Sequence, residues 1–387
     1  MKKIFMIMAT YDCKESSGGS IAHRTLSLLQ KYGYRVIVIT VGDPATYSVG
    51  NAKIVSVPMN SNYQTALLLT RMGVVEDYLS KWAVNVIDYI GALEGEDKPE
   101  KGDVALATTV GELGTLKVGY LLKTLYDMEY IVHLHDPIKH ADVNGYKYGK
   151  FPLPYASREK YERVYLLSAD KIITCSCTFK NYLVKKYPQI SDKCRNYYFG
   201  WTDSAPYEME RRKRNGGQYV IVYGGNFGWP QSPEILAKAA KGLKNIKIVY
   251  IGSWQRYKPI LRLHQENVQL LPRMSHDKYL EYLIKNVDMG FLSLSRPYFS
   301  ACIPAKLYEY INVVKPILAA VPDSDSSKII NEKGYGIAID YNTEQLRDVL
   351  IHIRSIRLGD YEANIKNDRA CWDFEYTMKG FVEYIGE

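Results

Sequence analysis

Three short segments carry residues suited to holding an anion. The first is Ser16-Ser17-Gly18-Gly19-Ser20, set between an apolar run, Lys3–Met8, and the start of a helical pattern. Glycine lets a backbone come close to a ligand, and the opening of a helix presents free N–H groups. The spacing is not the G-x-G-x-x-G of dinucleotide folds, and a plain tight turn accounts for the same residues. The second segment, Tyr223-Gly224-Gly225-Asn226-Phe227-Gly228-Trp229, follows another apolar run and obeys the same logic. It has no Walker lysine, so it is not a P-loop, and a structural turn remains open. The third runs from Ser300 to Tyr310 through Ile303-Pro304-Ala305-Lys306-Leu307 and is the most informative. Proline suits the first helical position, so a helix should begin near Pro304. Lys306 then falls in the first turn, where a cation opposes the helix dipole at a cost of about 0.3–1 kcal/mol. A bound phosphate reverses that sign. Glu309, three residues on, shares the face and could accept hydrogen bonds from ribose hydroxyls. A simple Lys306–Glu309 surface pair is the alternative.

Other candidates are weaker. His133, His135 and His140 stand close together, but metal ligation would need a further partner, and no metal is expected. At a strand end His135 can donate a hydrogen bond at neutral pH and change its charge easily. A structural histidine explains it equally. Asp136 beside it is a candidate for orienting an acceptor or His135 itself. Asp323-Ser324-Asp325 reads as a loop and helix cap. No Gly-x-Ser-x-Gly or Cys/His arrangement supports a hydrolytic nucleophile.

These segments need a scaffold, and the pattern around them supplies one. Short β-rich runs alternate with helical stretches, which argues for parallel sheets covered by helices. Predicted strands are Lys3–Met8, Arg35–Thr40, Val104–Thr108, Tyr130–Leu134 and Lys171–Thr174 in the first half. The second half restarts at Gln218–Tyr223 and continues through Ile246–Ile251, Val268–Leu271, Met289–Leu294, Pro316–Ala320 and Gly336–Ile339. The expected organisation is an α/β chain of two Rossmann-like domains: 1–203 with a terminal helix at 370–387, a linker at 204–217, and 218–369. Arg211-Arg212-Lys213-Arg214 and Gly216-Gly217 mark that linker. Phe374, Met378, Phe381, Val382 and Ile385 form one helical stripe that needs a domain surface to cover. Tandem Rossmann-like domains imply a cleft at the carboxyl ends of their sheets.

Composition excludes several classes. The 387 residues are 47% apolar and 24% charged, too long for one ordinary domain and unlike a disordered chain. No apolar stretch approaches the roughly 18 residues that suggest a membrane span. Met1–Met8 imitates a leader briefly, but Tyr11-Asp12-Cys13-Lys14-Glu15 interrupts it, and a first strand is the better account. Six cysteines without C-x-x-C spacing predict a reduced, cytoplasmic protein. The surplus of 50 basic over 42 acidic residues divides as 25 against 21 on each side of Ser204, so it lacks the concentrated stripe of a nucleic-acid binder. It suits small anions or an anionic membrane surface, with Lys180, Lys185, Lys186 and the Ala66–Met72 stretch as possible contacts at the inner face of the cell membrane.

Taken together, Pro304-Ala-Lys-Leu-Tyr-Glu-Tyr-Ile followed by Lys315-Pro316-Ile317-Leu318 resembles the donor-binding helix of GT-B glycosyltransferases of family 4. The Ser-Gly-Gly turn, Leu134-His135-Asp136-Pro137, Ala169–Thr174 and Tyr223-Gly-Gly-Asn-Phe-Gly are similar to segments of the same family, in the same order. The resemblance implies two lobes across a cleft and a last helix that crosses back to the first. His135 then corresponds to a histidine near the donor sugar, and Arg273-Met274 would border the nucleobase. Two departures stand out. The family's Glu-x7-Glu pair would place its first member at Ala301, which has no carboxylate. The turn at Gly225-Asn226-Phe227 lacks the Arg and Lys of many relatives, which shifts weight to Lys306, helped by Arg256 or Lys258.

The expected function is a retaining glycosyltransferase moving a sugar from a nucleoside-diphosphate sugar to a glycan or lipid-linked hydroxyl, without a cofactor or nucleic-acid partner. Retention is implied by the resemblance alone. Fixed N–H dipoles and Lys306 would stabilise charge on the departing diphosphate, with Gly18 and Gly19 closing from the other lobe. A sugar-nucleotide epimerase or hydrolase on the same fold, or a donor-binding partner without turnover, stands as the alternative.

Overall fold

Aliphatic and β-branched runs such as Arg-Val-Ile-Val-Ile-Thr-Val, apolar on both faces, suit strands covered by helices on either side. In the computed structural model of the chain they form two separate parallel sheets. The structure describes residues 2–11, 17–138, 142–143, 146–147, 152–202 and 217–387. His140, the four basic residues at 211–214 and nearly all of the expected linker lie outside them.

The chain divides into two compact units, Met1–Tyr198 with Met378–Glu387, and Phe199–Thr377. The first unit contains β1 (Lys3–Ile7), β2 (Arg35–Val41), β3 (Ala45–Val49), β4 (Ala52–Val57), β5 (Val104–Thr109) and β6 (Glu129–Leu134). A small ribbon follows, β7 (Asp142–Val143) and β8 (Tyr146–Lys147), and then β9 (Lys171–Thr174) and β10 (Cys194–Asn196). The large sheet runs β10-β9-β6-β5-β1-β2-β4-β3, parallel except for the β3–β4 hairpin. Trp82, Val86 and Ile90 of the helix Ser80–Gly91 fill one face, packing with Phe5, Ile37 and Val55.

The second unit contains β11 (Tyr219–Gly225), β12 (Ile246–Gly252), β13 (Val268–Leu271), β14 (Met289–Ser293), β15 (Ile317–Ala320) and β16 (Gly336–Ile339), ordered β13-β12-β11-β14-β15-β16 and all parallel. The order reverses between β11 and β14. That switch point is where an open α/β sheet leaves room for a ligand beyond its carboxyl ends. In the first unit the corresponding break lies between β1 and β5.

The unit boundaries differ from the expected 203 and 370 for a local reason. Trp201 forms a β-bridge with Asp373, and Thr377 Oγ1 donates to the Phe199 carbonyl at 3.1 Å, so both flanks belong to the second unit. The terminal helix Phe374–Gly386 carries the expected stripe: Phe374, Met378, Phe381, Val382 and Ile385 are all buried. Ser324 caps the helix Asp325–Glu332 reciprocally with Ser327, which accounts for the Asp-Ser-Asp sequence.

Candidate functional site

In the second unit two loops meet at the switch point. β11 ends in Gly224 and Gly225, with Gly225 at φ 132°, a region that favours glycine. The connection after β14 leads into the helix Ala305–Asn312. Pro304 sits at its N-cap with φ −61° and ψ 129°, one residue earlier than the first-turn position expected for it. Its side chain cannot cap, so the first-turn N–H groups of this helix are not bonded by a capping side chain. The Lys306 side chain passes Gly225 so closely that a Cβ there would stand 3.4 Å from Lys306 Cε. Bare backbone, an uncapped helix start and an ammonium group therefore share one corner of the sheet.

Lys306 Nζ lies 2.6 Å from Glu309 Oε2, both half-buried. The same ammonium sits 4.5 Å from the centre of the Tyr279 ring. The pairing weighed from the sequence is thus real, but it is only one side of a larger arrangement. His276 Nδ1 approaches Glu309 Oε1 at 3.9 Å. Tyr279 is buried and donates to Tyr310 Oη at 3.5 Å, and Tyr310 in turn donates to the carbonyls of Val222 and Phe291, each at 3.3 Å. Those carbonyls belong to β11 and β14, the two strands of the switch point. Burial, with Tyr310 and Glu309 nearby, holds the Tyr279 phenol well above its ordinary pKa, so it is a neutral aromatic floor for the cation. Gly224 makes room for it, since a Cβ there would meet Tyr279 Oη at 2.3 Å.

The remaining expected residues of this unit fall along the same carboxyl edge. Asn226 is exposed, and its carbonyl accepts from Tyr223 Oη at 2.6 Å. Phe227 packs on the core through Tyr223, Tyr250 and Tyr257. Arg256 and Lys258 are exposed in the connection after β12, and Arg273 with half-buried Met274 follows β13. Ile303 and Ala305 are half-buried, while Leu307 points into the core.

In the first unit, Gly18 and Gly19 do not form a turn before a helix. They lie within the first turn of the helix Ser17–Lys31, and a Cβ on Gly18 would meet nothing within 4 Å. His135 follows β6 directly, as expected, with its backbone N–H on Thr109 O at 3.0 Å and its carbonyl accepting from Cys175 Sγ at 2.9 Å. Its behaviour differs from expectation. It is buried, with Nε2 3.4 Å from His133 Nδ1, and burial pushes its pKa down to about 3. Burial and then His135 push His133 well down too. His135 is therefore held neutral at physiological pH and cannot switch charge there. Asp136 is half-buried beside it. Lys186, one of the lysines expected as a possible membrane contact, is half-buried and pairs with Glu162 at 2.7 Å, while Lys185 is exposed.

Sequence reasoning missed Tyr279, Tyr310 and His276. The signals were the His276–Tyr279 spacing of three on one helix and a tyrosine beside Glu309. It also missed buried Arg158, which pairs with Asp77 at 2.9 Å and donates to Glu76 O and Gly111 O, bracing the loop after β5. Among the described residues no group of three His, Cys, Asp or Glu side chains is placed to hold a metal ion, and no helix is long and apolar enough to cross a membrane.

No protein-family model and no curated protein sequence matches the chain. Solved structures match it over its whole length. An α,α-trehalose 6-phosphate synthase from Burkholderia multivorans is 13% identical, with TM-score 0.70, over 100% of this chain and 96% of that one. HepE from Anabaena, in complex with UDP-glucose, is 12% identical with TM-score 0.67 over 100% of both chains. WaaG, a glycosyltransferase involved in lipopolysaccharide biosynthesis, is 13% identical with TM-score 0.67 over 99% of both. At such identities the likeness is one of fold, and that fold is GT-B.

Proposed function

From a GT-B fold with an anion cradle at its second switch point, we propose that the protein is a glycosyltransferase using a nucleoside-diphosphate sugar. The observation that carries this is the convergence of Gly225, the uncapped start of the helix Ala305–Asn312 and Lys306 on one corner of the sheet. Each contributes positive potential or close backbone approach, which is what a diphosphate requires. Transfer builds negative charge on the departing diphosphate, and a fixed cation with oriented N–H groups stabilises it. Glu309 would exchange Lys306 for the ribose hydroxyls when the diphosphate takes the ammonium. Arg256, Lys258, Arg273 and Met274, on the β12 and β13 side, suit the nucleoside end. Gly18, Gly19, His135 and Asp136 would serve the acceptor-bearing unit, with His135 as a neutral hydrogen-bonding group. The resemblance to family 4 alone supports a retaining reaction. Neighbours named as a trehalose 6-phosphate synthase and as a glycosyltransferase involved in lipopolysaccharide biosynthesis support sugar transfer in general. A glycan or lipid-linked hydroxyl at the inner face of the cell membrane is the acceptor of this reading.

A second reading keeps the donor and drops the transfer. Ala301, buried in the position where the family carries a carboxylate, favours a donor-binding partner of a glycan-assembly complex. Thermal unfolding with a panel of nucleotide sugars tests both. A donor at 100 times its Kd adds about 2.7 kcal/mol of stability. Stabilisation by one nucleotide sugar with transfer to an acceptor supports the first reading. Stabilisation without product over a broad acceptor panel supports the second, and no stabilisation by any refutes both.

A further inference from the structure

We propose that Trp229 and Phe299 form an aromatic platform for the donor's sugar ring, in place of the missing carboxylate at Ala301. The inference rests on the donor reading above and assigns its sugar subsite.

Trp229 is 42% exposed, so one face of its ring is available to a ligand. Its backbone is nevertheless fixed. The Trp229 carbonyl accepts from Ser232 Oγ and from Ser295 Oγ, each at 2.7 Å, and Ser295 N–H donates to Pro230 O at 2.8 Å. Ser295 lies just beyond β14, so the loops leaving the two switch-point strands are stitched together here. The indole packs on Phe299 with ring centres 5.5 Å apart, and Phe299 stands edge-on to buried Tyr298 at 5.0 Å. The same two chain segments approach again where Gly225 meets Lys306. The platform and the cradle are thus two stations along one pair of adjoining loops.

Topology decides which part of a donor lies over the platform. In the order β13-β12-β11-β14, the nucleoside-side candidates follow β12 and β13, while Phe299 follows β14. The ends of β13 and β14 are about three strand spacings, ~14 Å, apart across the cradle. A donor with its base towards β13 and its diphosphate at Gly225 and Lys306 carries its sugar onward to the β14 side. There it meets two aromatic rings and buried Ala301 rather than a carboxylate. Aromatic surface binds the C–H face of a pyranose through apolar contact, so this subsite selects a hexose by its face more than by a single hydroxyl.

The test compares a nucleoside diphosphate with its hexose conjugate by calorimetry, using UDP with UDP-glucose and GDP with GDP-mannose. Wild type should bind one conjugate more tightly than its parent diphosphate. In Trp229→Ala and Phe299→Ala that gain should shrink by about fivefold to tenfold, with affinity for the bare diphosphate retained, and Trp229→Phe should restore much of it. Diphosphate binding with the sugar-dependent gain intact in both alanine variants overturns the platform alone. Equal loss for diphosphate and conjugate overturns it too, by showing a loop-supporting role. Failure of every diphosphate and conjugate to bind wild type overturns the donor reading, and the platform with it.

Discussion

Lys306 holds a charge that the protein's own groups balance twice, with the Glu309 carboxylate on one side and the Tyr279 ring on the other. On the proposed function, a diphosphate would take that ammonium from Glu309, which would turn to the ribose hydroxyls, while the ring continues to support the cation. The two residues should therefore fail differently. Lys306→Ala is expected to lower kcat by about a hundredfold, as loss of one transition-state donor does. Glu309→Ala is expected to weaken nucleotide binding by about tenfold, because it removes a charged acceptor. Steady-state kinetics and calorimetric titration of the donor separate the two, and unchanged values in both variants would refute the site. The histidine pair makes a different prediction. Above its ordinary value of 6.5, His135 is neutral whether folded or unfolded. As pH falls below that, the unfolded chain takes a proton that the buried ring refuses until about pH 3. Stability should fall progressively across that window, and His133→Gln with His135→Gln should flatten the fall between pH 6.5 and 5. Urea unfolding at several pH values measures both.

At the scale of elements, the expected strands were legible as short aliphatic runs, fully buried in β1, β5 and β14 and partly buried in β13, whereas β10, Cys-Arg-Asn, has no such run. Lys171–Thr174 and Gly336–Ile339 match their expected spans to the residue. The β3–β4 hairpin was not legible, since exposed Ala45–Val49 has no apolar face and depends on pairing with β4. The end of the helix Ala305–Asn312 was hidden for another reason. Its reversal uses Val314 at φ 54°, a position where glycine would be expected, so only Pro316 beyond it marks the stop. The candidate site was half legible: Lys306, Glu309, Gly224 and Gly225 show in the sequence, but the tyrosine floor depends on a helix crossing over a strand end. That crossing is tight. Gly224→Ala would push a methyl group into the Tyr279 ring, and overpacking of this kind costs about 1–3 kcal/mol. The expected result is a lower unfolding temperature together with a raised donor Kd, because the floor beneath Lys306 must shift. A thermal melt and a donor titration check it, and a melt that falls with donor affinity untouched would detach the floor from binding.

Over the whole molecule, one helix belongs to both units. Phe374–Thr377 lies in the second, and Met378–Glu387 returns to the first. The returning residues are structural members of the first unit, not a tail. Phe381 packs against His133 at 4.9 Å between ring centres and faces Tyr197 at 6.4 Å. Tyr384 donates to Lys193 O at 2.9 Å beneath the Arg195 guanidinium. Removing a buried phenylalanine alone costs about 3–5 kcal/mol, a large share of what usually holds a domain of this size together. A chain ended at Thr377 should therefore lose stability selectively. Amide exchange across β6, β9 and β10 should rise sharply, while β11–β15 keep their protection, because their core of Ile221, Tyr250 and Phe291 is untouched. Adding a peptide of residues 374–386 in trans should restore part of the protection in the first unit. Equal loss in both sheets, or none in the first, would mean that the terminal helix is not the piece that completes the first unit's core.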